Sequence, residues 1–184
     1  GLELTAIASV LLLSRTFDAI TDPGIGYLSD RHRMAGGSRK LWVVIGGLCL
    51  ITATYFLFTP PQGVTSGYYL VCSLAFFLAY TAMEIPHVTW GSEITTDYNL
   101  RAKVYSFRAT FIYLGQVTFF GLPLLPIYET NEYTPQVLKD AVYIGAVVMI
   151  VSLIFSASQA PAGSILKTRG QDDLQKIVRS IVTN

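Results

Sequence analysis

Charge is scarce in this sequence. Asp, Glu, Lys and Arg make up 14% of its 184 residues, against about 25% in a typical soluble domain, and that deficit argues against a water-soluble fold. The charges that remain nearly cancel. Thirteen basic residues face 12 acidic ones for a formal net charge of +1, which excludes the global basic field of a nucleic-acid binder. Cysteine is almost absent as well. Cys49 and Cys72 lie inside apolar runs, far from any metal or redox spacing, and are expected to be small core residues. No basic segment precedes the first apolar run, as it would in a signal peptide, and the first residue is Gly1, so the chain is expected to be a fragment of a longer protein.

What is abundant is apolar. The hydrophobic fraction is 52% and the mean hydropathy +0.47, which excludes a disordered chain. The apolar residues are bunched into runs at about 4–28, 41–58, 68–90, 104–122 and 137–158. Each is near the roughly 20 residues that a helix needs to cross a bilayer, and far longer than the 9 to 11 of a barrel strand. The spacing therefore predicts an all-α, polytopic transmembrane bundle of five helices. Pro60 and Pro61 close the second run, and Pro123 and Pro126 lie just past the fourth, where proline cannot continue a helix without losing a backbone donor.

The basic residues set an orientation. Arg31, Arg33, Arg39 and Lys40 follow the first run, Arg101 and Lys103 follow the third, and Lys167, Arg169, Lys176 and Arg179 lie in the tail, while the alternate connectors hold Lys139 alone. Positive charge collects on the cytoplasmic side, so the first span is expected to enter from outside and the tail to be cytoplasmic. Leu166, Leu174, Ile177, Val178 and Ile181 give that tail an amphipathic pattern, which suits a surface helix or linker, or else a partner site.

Five ionisable residues fall where a bilayer penalises them: Arg15, Asp18 and Asp22 in the first span, Glu84 in the third and Arg108 in the fourth. Such a group costs about 2.5 to 3.5 kcal/mol at mid-bilayer and persists when paired, hydrated or used. Arg15, Asp18 and Asp22 stand at i, i+3 and i+7, on one helix face. At about 1.5 Å per residue, Asp18 is about 16 Å deep, Asp22 about 10 Å, Glu84 about 14 Å and Arg108 about 10 Å. One interhelical cluster can hold all of them. Its three carboxylates exceed its two guanidinium groups by one, so either a carboxylate is protonated or a monovalent cation completes the site. Asp18 and Asp22, with hydroxyls such as Thr21 or Thr81, supply the hard oxygens that Na⁺ or H⁺ would use.

Two other possibilities stand beside this one. The charges can form fixed ion pairs that lock helices together, or the two Asp can belong to an intramembrane hydrolase, which would need them on different helices. Pro23 and Gly24 after Asp22, and Pro86 after Glu84, either free carbonyls for a cavity or are tolerated kinks. His87 is a packed histidine or a relay, and Tyr80, Tyr113, Gln116 and Trp90 line a polar cavity or anchor at the interface.

These residues resemble a known family. Arg15, Asp18, Thr21, Asp22, Pro23, Gly26, Tyr27, Asp30, Arg31 and Arg33, in that order, are similar to the second-helix signature of the glycoside-pentoside-hexuronide cation symporters, the melibiose permease-like group of the major facilitator superfamily. Tyr80, Thr81, Glu84 and Pro86, then Glu93, Thr95 and Arg101, then Ser106 and Arg108, extend the match. It departs at Glu84 and Val88, where that group has Asp and Trp.

The resemblance implies that the five spans are helices two to six of a twelve-helix transporter. Residues 1–160 would be the N-terminal half-bundle without its first helix, and 161–184 the start of a cytoplasmic central loop. It further implies that Asp18, Asp22 and Thr81 hold the coupling cation, and that Glu84 and Arg108, with Arg15 and Tyr80 close by, hold the substrate. Gly26, Asp30 and Arg31 would belong to the cytoplasmic gate.

A secondary active transporter follows, not an enzyme, carrying a sugar or glycoside with Na⁺ or H⁺ by alternating access and needing no cofactor beyond that ion. Its partners would be the small-molecule substrate, the lipid bilayer of a plasma or inner membrane and the missing C-terminal half, with no nucleic acid. The alternatives are a lipid or other small-solute transporter on the same fold, or a structural membrane module.

Overall fold

The computed structural model describes residues 3–163. The amphipathic tail lies outside the described residues. Five long helices carry the described chain: α1 (Leu4–Met34), α2 (Arg39–Phe58), α3 (Ser66–Glu93), α4 (Tyr98–Gly121) and α5 (Pro135–Gln159). A single 3-10 turn, Leu122–Leu124, follows α4.

Each helix outruns the apolar run that foretold it, and capping residues set the starts of α2 to α5. Ser38, Thr65, Asp97 and Thr134 accept from the backbone N–H of Lys40, Tyr68, Leu100 and Val137 at 3.2, 3.2, 2.8 and 3.3 Å, satisfying donors that a helix start leaves open. Asp97 thereby draws the expected connector residues Arg101 and Lys103 into α4. Pro23 and Pro86 sit inside continuous helices. Each lacks the N–H that would bond the carbonyl four residues back.

Helices α1, α2, α3 and α5 are long and apolar enough to cross a membrane. The 24-residue α4 has the length, at about 36 Å, but Arg101, Lys103, Arg108 and Gln116 along it keep it from being as continuously apolar as those four. It packs lightly on α3 and has no buried residue, whereas α2 packs extensively on α3, α1 on α3 and α5 on α2.

The small core sits at the basic end, where Val43, Trp90 and Leu153 meet from α2, α3 and α5. Most large apolar side chains instead cover the outside, as Leu12, Ile20 and Val117 do. Lipid is as apolar as Leu, so these helices are held by close packing more than by burial. Two adjacent glycines on α2 allow it. A Cβ on Gly46 would lie 2.6 Å from Met83 N on α3, and one on Gly47 2.7 Å from Leu153 Cδ1 on α5. Cys49 is exposed and Cys72 half-buried, correcting the expectation of core cysteines. In a membrane protein an apolar run does not separate core from lipid face.

At the basic end a buried polar hub fastens the helices. Glu93, at the end of α3, accepts from Arg33 Nε (α1) at 2.9 Å and from Arg39 Nε (α2) at 2.6 Å. Arg39 also reaches Asp30 Oδ1 at 2.7 Å and Ser29 Oγ at 3.3 Å. Arg33 donates to the carbonyls of Ala162 and Gly163 at 3.3 and 2.8 Å. Among the described residues two cations here meet two carboxylates.

Candidate functional site

Midway along α1 and α3 lies a second polar group of different character. Thr81 Oγ1 on α3 donates to Asp22 Oδ1 on α1 at 2.9 Å, and Thr81 is buried. One turn back on α1, Asp18 Oδ2 receives Arg15 NH1 at a long 3.4 Å. The Arg15 side chain is 71% exposed, and its guanidinium lies 4.7 Å over the Phe77 ring of α3. Asp18 Oδ1 is buried without a hydrogen-bond partner among the described residues. An unsatisfied buried acceptor costs about 1 to 3 kcal/mol, and more when charged.

The second part of the site faces α4. Arg108 NH2 donates to Glu84 Oε1 in a part-buried ion pair. Glu84 follows Thr81 by three residues, so neighbouring faces of α3 carry the two parts. Glu84 and Arg108, with Tyr80, His87, Trp90 and Tyr105, line a cleft of about 710 Å³ between α3, α4 and the end of α5. Tyr80, one turn before Glu84 on α3, lines the same cleft.

The charge inventory sharpens what the sequence left open. Glu84 and Arg108 neutralise each other, and Arg15 answers one oxygen of Asp18 from an exposed position. Among the described residues Asp22 has a hydroxyl for a partner and no cation, and it acts electrostatically on Asp18. The surplus negative charge of the five-residue cluster therefore rests on the Asp18 and Asp22 pair.

Other sequence-singled residues are placed less centrally. Thr21 Oγ1 donates to the Phe17 carbonyl at 3.1 Å, on its own helix. Tyr113 is exposed and, like Gln116, lies off the cleft. Among the gate residues, Asp30 pairs with Arg39, whereas Arg31 is exposed with no ion pair among the described residues. A Cβ on Gly26 would meet Ile85 at 3.9 Å, an ordinary contact.

Sequence reasoning missed the hub of Arg33, Arg39 and Glu93. Arg39 served only to orient the chain, and Arg33 and Glu93 entered otherwise only through the family resemblance; a signal was present in Glu93, the single carboxylate between the end of the third run and Asp97.

Membrane-length helices that carry charged and hydroxyl groups inward, beside an open cleft, define an integral membrane protein with a polar site inside its helix bundle. The chain belongs to the MFS/sugar transport protein family, whose model matches residues 1–174, a family of transporters and not of enzymes. It is 31% identical over 168 residues to an uncharacterized symporter of Synechocystis, covering 85% of this chain and 30% of that protein. It is 26% identical over 160 residues to the inner membrane symporter YicJ of Escherichia coli, covering 84% and 35%. A third relative, the putative glycoside/cation symporter YagG of Escherichia coli, is 29% identical over 137 residues, covering 72% and 30%. The chain thus spans about a third of the length of these curated relatives.

Proposed function

We propose that this chain is the cation- and substrate-binding part of a symporter that couples a sugar or glycoside to Na⁺ or H⁺. The observation that carries the proposal is the buried, unpartnered Asp18 Oδ1 beside Asp22, where the surplus charge of the cluster rests. Two carboxylates and the Thr81 hydroxyl offer hard oxygens to a small monovalent cation. Among the described residues no three His, Cys, Asp or Glu side chains converge as a transition metal would require.

Cation binding cancels the charge on α1 and leaves Thr81 on α3 shared between Asp22 and the ion. Substrate hydroxyls then compete for the exposed edges of Glu84 and Arg108 in the cleft, with Tyr80 alongside. Because both sites use α3, occupancy of each favours the other by the same factor. Alternating access would come from rocking this half against a second, C-terminal half around the site. The excess of basic residues after α1 and α3 supports a cytoplasmic location for that end and for the central loop, in a plasma or inner membrane. The names of the relatives, symporters and one glycoside/cation symporter, agree with this reading.

The test is uptake of a labelled glycoside by the full-length protein, titrated with Na⁺ and with pH. Asp22→Cys should lose the cation dependence, and undiminished coupling would overturn the assignment.

A further inference from the structure

On the far side of the bundle from the cleft, a second concavity opens toward the surface. It measures about 880 Å³ and runs between α1, α2 and α3, walled by Leu28, Leu41, Ile45, Cys49, Ala75 and Leu78. Its floor is made of small residues, because α2 and α3 approach closely at Gly46. From Leu41 to Cys49 the wall is about 12 Å long at 1.5 Å per residue, close to one leaflet of a hydrocarbon core about 30 Å thick.

The mouth of this groove is charged on one side only. No carboxylate lines it, and Arg31 does. Its basic neighbours on α1 and α2 are engaged: Arg33 and Arg39 hold Glu93, and Lys40 Nζ donates to the Ala157 carbonyl at 3.0 Å. Arg31 stands two residues from Arg33, about 200° around the helix, so the geometry that buries one guanidinium in the hub turns the other outward. Beside it, His32 Nδ1 accepts from Trp42 Nε1 at 3.1 Å, which fixes the Trp42 ring against the groove.

We infer that this groove is a binding site for an anionic phospholipid. The phosphate would sit at Arg31, and the upper part of one acyl chain would lie along Leu41, Ile45 and Cys49. A neutral lipid satisfies the walls and leaves the guanidinium without a counter-charge; a free anion satisfies Arg31 and leaves the walls uncovered. One basic residue near an anionic headgroup is worth about fivefold in affinity, an effect that weakens with salt.

The experiment uses full-length protein reconstituted in phosphatidylcholine vesicles doped with brominated phosphatidylglycerol or brominated phosphatidylcholine. Quenching of Trp42 is read as the difference between the protein and its Trp42→Phe variant. Brominated phosphatidylglycerol should quench with about fivefold higher relative affinity. Arg31→Gln should bring that ratio to unity, Arg31→Lys should keep most of it, and Cys49→Phe, which fills the groove, should weaken quenching by both lipids. Equal quenching by both lipids in the unmodified protein, or a ratio unchanged in Arg31→Gln, would overturn the inference. So would the absence of quenching by either lipid, which would mean that another helix of the full protein fills the groove.

Discussion

Glu93→Gln should be among the most damaging single changes outside the substrate cleft. The Glu93 side chain is 7% exposed and holds Arg33 and Arg39, themselves 11% and 6% exposed. Removing its charge leaves two guanidinium groups away from water, and Asp30 can answer only Arg39, from a position 57% exposed. Breaking a buried pair by removing one partner costs about 3 to 5 kcal/mol, a fall in unfolding midpoint on the order of 10 °C. Asp30→Asn is the internal control, because an exposed pair is worth about 1 kcal/mol or less. The assay is thermal unfolding of the full-length protein in detergent. If Glu93→Gln unfolds within the error of the unmodified protein, or no earlier than Asp30→Asn, the hub is not what fastens α1, α2 and α3.

Gly46→Ala should destabilise by about 1 to 3 kcal/mol, since its Cβ meets backbone that cannot step aside, whereas Gly115→Ala, with nothing within 4 Å, should not; thermal unfolding separates them. Thr81→Val removes the donor to Asp22 and should weaken cation affinity by about tenfold, within the 1 to 3 kcal/mol of such a loss, as read by calorimetric titration. Arg108→Ala should abolish substrate binding while cation binding remains measurable, and unchanged substrate affinity in equilibrium dialysis would refute its role.

The helices were legible because a bilayer imposes a length on apolar runs, and 4–28 or 137–158 meet it without ambiguity. Their ends were not, because capping by Ser38 or Asp97 is a local hydrogen bond that hydropathy does not register. The polar site was legible for a related reason. A charge inside an apolar run stands out, so Asp18, Asp22, Glu84 and Arg108 could be named, and i, i+3, i+7 spacing put three charges on one face. What spacing does not give is pairing across helices. That Glu84 would take Arg108 and that Thr81 would turn to Asp22 depend on how α3 packs. Arg33 and Arg39 were hidden for the opposite reason: among several basic residues at a helix end, sequence alone does not distinguish the buried from the exposed. The exposed cysteine at position 49 shows the same limit for apolar residues.

The claim that Asp18 and Asp22 hold the coupling cation is tested most directly by the cation dependence of stability in the purified full-length protein. A ligand that binds only the folded state adds about 2.7 kcal/mol at a hundred times its Kd, so the unfolding midpoint should climb with Na⁺, or with acidification for a proton-coupled protein. The isosteric variants Asp22→Asn and Asp18→Asn should each flatten that climb. A midpoint that ignores Na⁺, Li⁺ and pH in the unmodified protein, or that climbs equally in both variants, would contradict the assignment and leave the charges as fixed pairs between helices.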